Sequence, residues 1–277
     1  MKVSVIIPVY NAAPYIADTL RSVQRQTMTD FEVLLVDDHG QDDSMSVAKA
    51  TIGDDPRFRF LETPVNSGPG VARNMGINAA QGEYIAFLDS DDLWEETFLE
   101  KQLGVRSEEL GVRSYCLTYC QLKYRGGKKD GQEHRNPVME KGVITPAARK
   151  YFLQHFVTFS VCFLYRREFL LSNDLFFPAK RNSEDTNFLT RCLLLADTIA
   201  CVDEPLYIYN VRDESLTTGH NPQRYKERLQ SLNALMCDFR AMKQDPRYKH
   251  LHLNQYNLVM SWIWFKKGFA QAVKEII

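Results

Sequence analysis

Along the first hundred residues, short β-branched runs alternate with stretches of helical periodicity. Val3 to Pro8 reads as a buried strand. Asn11 then stands where a helix cap would, ahead of Pro14 in the first turn and of Ile16, Leu20 and Val23 on one face. Phe31 to Val36 repeats the strand pattern and ends in Asp37-Asp38, after which Asp42 or Asp43 can cap a helix containing Val47 and Ala48. Phe58 to Leu61 is a shorter third strand. The turn-prone Asn66-Ser67-Gly68-Pro69-Gly70 precedes a helix with Val71, Met75 and Asn78, and Tyr84 to Leu88 is a fourth apolar run that stops at Asp89-Ser90-Asp91-Asp92. This alternation predicts an α/β fold: a mostly parallel, Rossmann-like sheet flanked by helices.

Past residue 112 the pattern changes. Tyr115 to Tyr124 reads as a strand, and the Gly- and Lys-rich stretch 125–141 reads either as a mobile loop or as a hairpin with a polar tip. Mixed elements follow, and from Pro222 onward the pattern is mostly helical. No repeat of fixed period is present. The expected organisation is therefore residues 1–112, residues 113–221 and a helical extension over 222–277.

Composition narrows the function classes. With 277 residues and 44% hydrophobic content the chain can bury a sizeable core. Thirty-four basic against 35 acidic side chains give a formal charge of −1, so no general positive field exists to hold nucleic acid. The N-terminal apolar run is too short for a signal peptide, and no stretch reaches the roughly 20 apolar residues that span a bilayer, so a cytoplasmic location is expected. The six cysteines lack C-x-x-C spacing and suit reduced, mostly buried thiols.

The candidate chemistry sits where strands end. Ligands of open parallel sheets bind outside the carboxyl ends of the strands. Asp89 and Asp91 are two carboxylates one residue apart at such an end, and oxygen ligands of this kind suit Mg²⁺ or Mn²⁺ with diphosphate oxygens completing the shell. Taken alone, an acidic pair in a loop is more often a solvated turn or cap. Asp37-Asp38 ends an earlier strand facing the same crevice, where a carboxylate can accept the ring N–H of a base and main-chain groups near Pro8 and Val9 can line a base pocket. Those aspartates also serve as strand-closing and cap residues.

Four blocks, VSVIIPVYN, VDDHGQDDS, NSGPGVARNMGI and GEYIAFLDSDDLW, resemble in order and spacing the nucleotide-sugar half of a family 2 glycosyltransferase of the GT-A fold. One departure is His39-Gly40, where the family usually has Gly-Ser. The resemblance implies a donor site at Pro8, Tyr10, Asp38, Arg73, Asp89 and Ser90. Within it, Asp38 recognises the base, Asp89 contacts ribose and metal, Asp91 is the direct metal ligand, and Arg73 is either a nucleotide-side contact or an exposed helix arginine. NSEDTNF resembles the family's E-D block, which implies Asp185 as the catalytic base, with Glu184 orienting it or touching the acceptor. The same pair suits a helix N-terminus capped by Ser183. YNVRDESLT resembles a segment near the diphosphate, where Arg212 would stabilise the leaving group.

The implied activity is inverting, Mn²⁺- or Mg²⁺-dependent transfer of a sugar from a nucleotide-diphosphate donor, UDP favoured, to a hydroxyl of a glycan or lipid-linked acceptor in surface polysaccharide biosynthesis. Two alternatives stand beside it. A sugar nucleotidyltransferase would want a Gly-rich basic loop after the first strand, where this chain has Val9-Tyr10-Asn11-Ala12-Ala13. A nucleotide-sugar-binding module without turnover is the other. Finally, Leu258 to Lys267 carries two tryptophans followed by lysines, which suits either a helix lying peripherally at the inner face of the membrane or core or dimer packing.

Overall fold

The computed structural model describes residues 1–105, 115–139, 142–156, 159–179, 183–211 and 222–270. Its strands are β1 (Val3–Val9), β2 (Phe31–Asp37), β3 (Phe58–Glu62), β4 (Tyr84–Phe87), β5 (Leu93–Trp94), β6 (Leu117–Arg125), β7 (Glu133–His134), β8 (Gly142–Val143), β9 (Phe163–Arg166) and β10 (Thr198–Asn210). The helices are α1 (Ile16–Gln24), α2 (Ser44–Ile52), α3 (Pro69–Ala79), α4 (Phe98–Gly104), α5 (Pro146–His155), α6 (Arg167–Ser172), α7 (Glu184–Leu195), α8 (Pro222–Gln244) and α9 (Asn257–Trp264).

The sheet runs in the order β3-β2-β1-β4-β9-β6-β10-β5. Its first four strands are parallel, joined by helical crossovers; β1, β2 and β4 are buried on both faces, as parallel strands covered by helices require, while the edge strand β3 is mostly exposed beyond Phe58. β9 then enters antiparallel between β4 and β6, while β6 and β10 pair parallel to each other. The sheet is thus parallel in its first half and mixed in its second.

Several local expectations take a different form. Asn11 does not cap α1. It lies at φ 48° and its Oδ1 accepts from the amide of Gln41 at 2.7 Å, because a turn from Ala12 intervenes and the helix starts only at Ile16. Asp42 serves the start of α2, accepting from the Ser44 amide at 3.1 Å and from the Ala13 amide at 2.9 Å. Ser183 occupies the position before α7 in a left-handed conformation, φ 58°, and makes no side-chain cap. Residues 125–134 form a hairpin, since β7 folds back antiparallel onto β6. Four of the six cysteines are buried and all six are free thiols. Among the described residues no helix is long and apolar enough to cross a membrane.

Candidate active site

Asp89 follows β4 directly. The Leu88 amide donates to Ile6 O at 3.1 Å, carrying the pairing one residue past the strand, and the Asp92 amide donates to Asp89 O at 3.1 Å to close a tight turn. The turn is held from both sides. Thr19 of α1 donates to Ser90 O at 3.1 Å, and the Asn210 side-chain amide donates to Asp91 O. Beneath it, Asp92 is buried and accepts from the Tyr207 hydroxyl at 2.6 Å and the Asn210 amide at 2.8 Å. Burial, with the negative charge of Asp91 and Asp89 nearby, holds the Asp92 carboxyl well above the usual range. Asp92 is therefore a support for the turn, while Asp89 and Asp91 remain partly exposed.

Arg73 of α3 is the centre of the site. It is 3% exposed and donates to Asp89 Oδ1 at 2.7 Å, to Glu184 Oε1 at 3.3 Å and to Asp185 Oδ1 at 3.3 Å. Its guanidinium also lies 5.2 Å from the centroid of the Phe177 ring. Burial works against its charge, but Asp185, Asp89 and Glu184 together outweigh that, so the guanidinium is held above its ordinary range. The exposed-helix-arginine alternative is thereby excluded for Arg73.

The carboxylates pay unequally for this arrangement. Glu184 is buried, and burial first and Asp185 second push its carboxyl up to about 8 against the pull of Arg73. Asp185 is raised by burial too, with Arg73 and the Ser160 hydroxyl, which donates to Oδ1 at 2.9 Å, acting in the opposite direction. Its side chain keeps 32% exposure, so of the pair it is Asp185 that reaches solvent.

Neighbouring residues fix α3 against this acidic pair. The Asn74 amide donates to Phe177 O and accepts from Phe177 N, each at 2.8 Å, a two-point clamp on one backbone unit. Gly70 lets the helix start approach closely: a Cβ there would sit 3.1 Å from Pro178 O and 3.3 Å from Glu184 Cγ. Phe177 stacks on Phe188 at 3.9 Å, and Phe87 meets both edge-on, at 5.1 and 5.9 Å. Aromatic contacts of this kind contribute about 0.5–1.5 kcal/mol each beyond burial, so β4, the 177 segment and α7 form one rigid unit under the site.

On the other side of the crevice, Val9 O accepts from the Asp38 amide at 3.0 Å, which sets the Pro8–Tyr10 segment beside the aspartate pair. Pro8 is buried and Tyr10 is exposed. Asp38 is 3% exposed; its Oδ1 accepts from the Thr63 hydroxyl and the Ser67 amide and its Oδ2 from the Gly68 amide, all at 2.8 Å. Asp38 thus organises the turn that begins α3, and α3 carries Arg73. His39 sits at φ 58° with its ring held against Thr63 O. That left-handed backbone is one glycine adopts without penalty, which accounts for the family's usual residue at this position.

Asp38, Arg73, Asp89, Ser90, Asp91, Glu184 and Asp185 are therefore linked in one region by these bonds, with Pro8 and Tyr10 on its rim. Arg212 lies outside the described residues. Asn74, Ser160, Tyr207 and Asn210 were not singled out from sequence; Asn74 and Asn210 had a signal, their places beside Arg73 in the NSGPGVARNMGI block and within the YNVRDESLT segment. Among the described residues no group of three or more His, Cys, Asp or Glu gathers as a closed metal site. Two oxygen donors in an anchored turn fit a hard cation that takes its remaining ligands from a diphosphate and water.

The family model described as Glycosyl transferase family 2 matches residues 4–172. The chain is 33% identical over 216 residues to the uncharacterized glycosyltransferase EpsJ of Bacillus subtilis, a match covering 78% of this chain and 62% of that protein. It thus spans less than two thirds of the length of that relative. Among solved structures, S. aureus TarS 1-349 in complex with UDP superposes with a TM-score of 0.65 at 25% identity, over 84% of this chain and 65% of that one. The mannosyltransferase PcManGT of Pyrobaculum calidifontis, in complex with GDP-Man and Mn²⁺, shares the fold with a TM-score of 0.60 at 19% identity, over 99% and 74% of the two chains.

Proposed function

Because the chain belongs to glycosyl transferase family 2, we propose that it transfers a sugar, with inversion, from a nucleotide-diphosphate donor to a hydroxyl of a glycan or lipid-linked acceptor in surface polysaccharide biosynthesis. The observation that carries this reading is Arg73, one buried cation shared by Asp89 of the strand-end turn and Asp185 of α7. Donor-side and acceptor-side carboxylates are thereby held at a fixed separation, as a one-step displacement needs. In this reading residues 1–112 form the donor half, 113–221 the acceptor half and 222–277 an appended helical unit.

Asp185 takes the proton of the acceptor hydroxyl. Its raised proton affinity favours that role, and its exposure gives the acceptor access. Glu184 stays protonated near neutral pH, supports Asp185 without adding a second negative charge, and can donate a hydrogen bond to the acceptor. Asp38 shapes the base pocket through the Ser67–Gly68 turn and has about one lone-pair site left for the ring N–H of a base. Pro8, Tyr10 and Ser90 complete the donor walls, and Arg212 is assigned to the leaving diphosphate. Asp91 and Asp89 would hold Mn²⁺ or Mg²⁺, which when bound neutralises diphosphate charge. UDP is the favoured nucleotide, a preference supported by TarS, whose structure was solved with UDP.

Thermal stabilisation by a panel of nucleoside diphosphates, with and without Mn²⁺, tests the donor site. Stabilisation by one nucleotide that needs the metal and disappears in Asp91→Ala is expected. Absence of stabilisation by every nucleotide would sink the transferase reading.

A further inference from the structure

The catalytic reading leaves the C-terminal face unexplained. On α9 and the π-helical turn Phe265–Phe269 that continues it, Val259, Met260, Ile263 and Gly268 are buried. Gly268 packs closely on α8, where a Cβ would stand 2.6 Å from Leu232 Cδ1. The indole N–H of Trp264 is satisfied by Asn233 of α8 at 2.9 Å. With that face committed, the opposite one points outward. It carries Leu258 at 85% exposure, Trp262 at 46%, and Phe265 and Phe269 at 47% each.

The spacing 258, 262, 265, 269 is one helical stripe. Its rings are in mutual contact, Trp262 to Phe265 at 6.4 Å and Phe265 to Phe269 at 6.1 Å, so the patch is continuous. A contiguous apolar patch of large side chains, held outward by packing on its reverse side, marks an interaction surface.

Charge says what covers it. The chain as a whole carries a formal −1, yet residues 246–270 contain no Asp or Glu, and hold Arg247, Lys249, Lys266 and Lys267 with His250 and His252. Lys266 is exposed and lies over the Trp262 ring at 5.9 Å, and Lys243 donates to Asn257 at the start of the stripe. Arg247 is paired with Asp245, and Lys267 turns inward toward Phe156 O, so the positive charge set against the aromatic stripe is that of Lys266. Aromatic and leucine side chains flanked by lysines match the acyl boundary and anionic headgroups of a bilayer.

We infer that the Leu258–Trp262–Phe265–Phe269 stripe with Lys266 seats the protein peripherally on an anionic membrane surface. This deepens the proposed action on a lipid-linked acceptor and rests on that reading for its purpose, but not for its physics. Seating on the bilayer would hold the acceptor half near substrates confined to the membrane.

Flotation of the full chain with vesicles tests it. Vesicles of phosphatidylcholine with about a third phosphatidylglycerol should carry the protein, and pure phosphatidylcholine vesicles should carry it poorly. The Trp262→Ser/Phe265→Ser double variant and, separately, Lys266→Glu should lower partitioning by about tenfold or more, with melting and circular dichroism unchanged because these side chains are exposed. Phe60→Ser, which removes an exposed aromatic on the edge strand β3, and Asp185→Asn should float like wild type. Equal flotation with both vesicle types overturns the inference, as does a folded wild type that fails to float. A dimer that the double variant abolishes, with no vesicle binding, would assign the stripe to a second copy and overturn it too. Nucleotide binding is measured on the same samples, so failure here leaves the donor-site test untouched.

Discussion

Arg73 and Asp89 are joined at 2.7 Å, and the same guanidinium reaches Asp185 at 3.3 Å, so one side chain sets the distance between two carboxylates from opposite halves of the fold. Breaking a buried charge cluster by removing one partner leaves uncompensated charge. Arg73→Ala is expected to lower stability by about 3–5 kcal/mol in urea unfolding. Arg73→Lys should recover only part of that, because a compact ammonium cannot span the Asp89 side and the Glu184–Asp185 side as the two ends of the planar guanidinium do.

Asp185→Asn keeps shape and packing but removes the proton acceptor. Transfer should fall by about 10²–10⁴-fold, while the donor still stabilises the protein in a thermal melt. Wild-type turnover by the variant would remove Asp185 from the role of base.

Glu184 gives the cluster a signature in pH. Its folded value of about 8 lies above the ordinary 4.5, so the folded state holds this proton more tightly than the unfolded state. Its contribution to stability is fully present below about 4.5 and is lost as pH rises through about 8. Unfolding curves between those limits should show Glu184→Gln with a flatter dependence than wild type and a relative gain at the alkaline end. Parallel curves would mean that Glu184 is ionised throughout.

Asn74→Ala strips both partners from the Phe177 backbone unit. Both bonds are part-buried, so the loss should be about 1–3 kcal/mol in urea unfolding. Because Asn74 adjoins Arg73, transfer should drop more than donor-dependent stabilisation. Asn74→Asp should fail to rescue, since a carboxylate cannot donate to Phe177 O.

Much of the first hundred residues was readable in advance, and particular residues show why. Val5–Val9 and Val33–Val36 are buried on both faces, and such runs announce themselves as short stretches of consecutive apolar residues, the second ending in Asp37-Asp38. The GEYIAFLDSDDLW block also marked Asp89 and Asp91, and the NSEDTNF segment Asp185, before their surroundings were known. Asp38 was legible as important, but its three bonds to Thr63, Ser67 and Gly68 were not. Asn11 looked like a cap because capping is a local rule, whereas its actual partner, Gln41, comes from another loop.

The sequence by itself determined the strand-helix alternation, the acidic strand ends and the apolar face of each helix, because these follow from periodicities of two and 3.6 residues within short windows. Tertiary structure alone decided that β9 enters antiparallel between β4 and β6, that Arg73 is buried, and that it meets Asp185 across 112 positions. Those outcomes depend on how helices seat against the sheet and on which charges desolvation forces together. Such forces act between surfaces that the chain brings into contact only once it is folded.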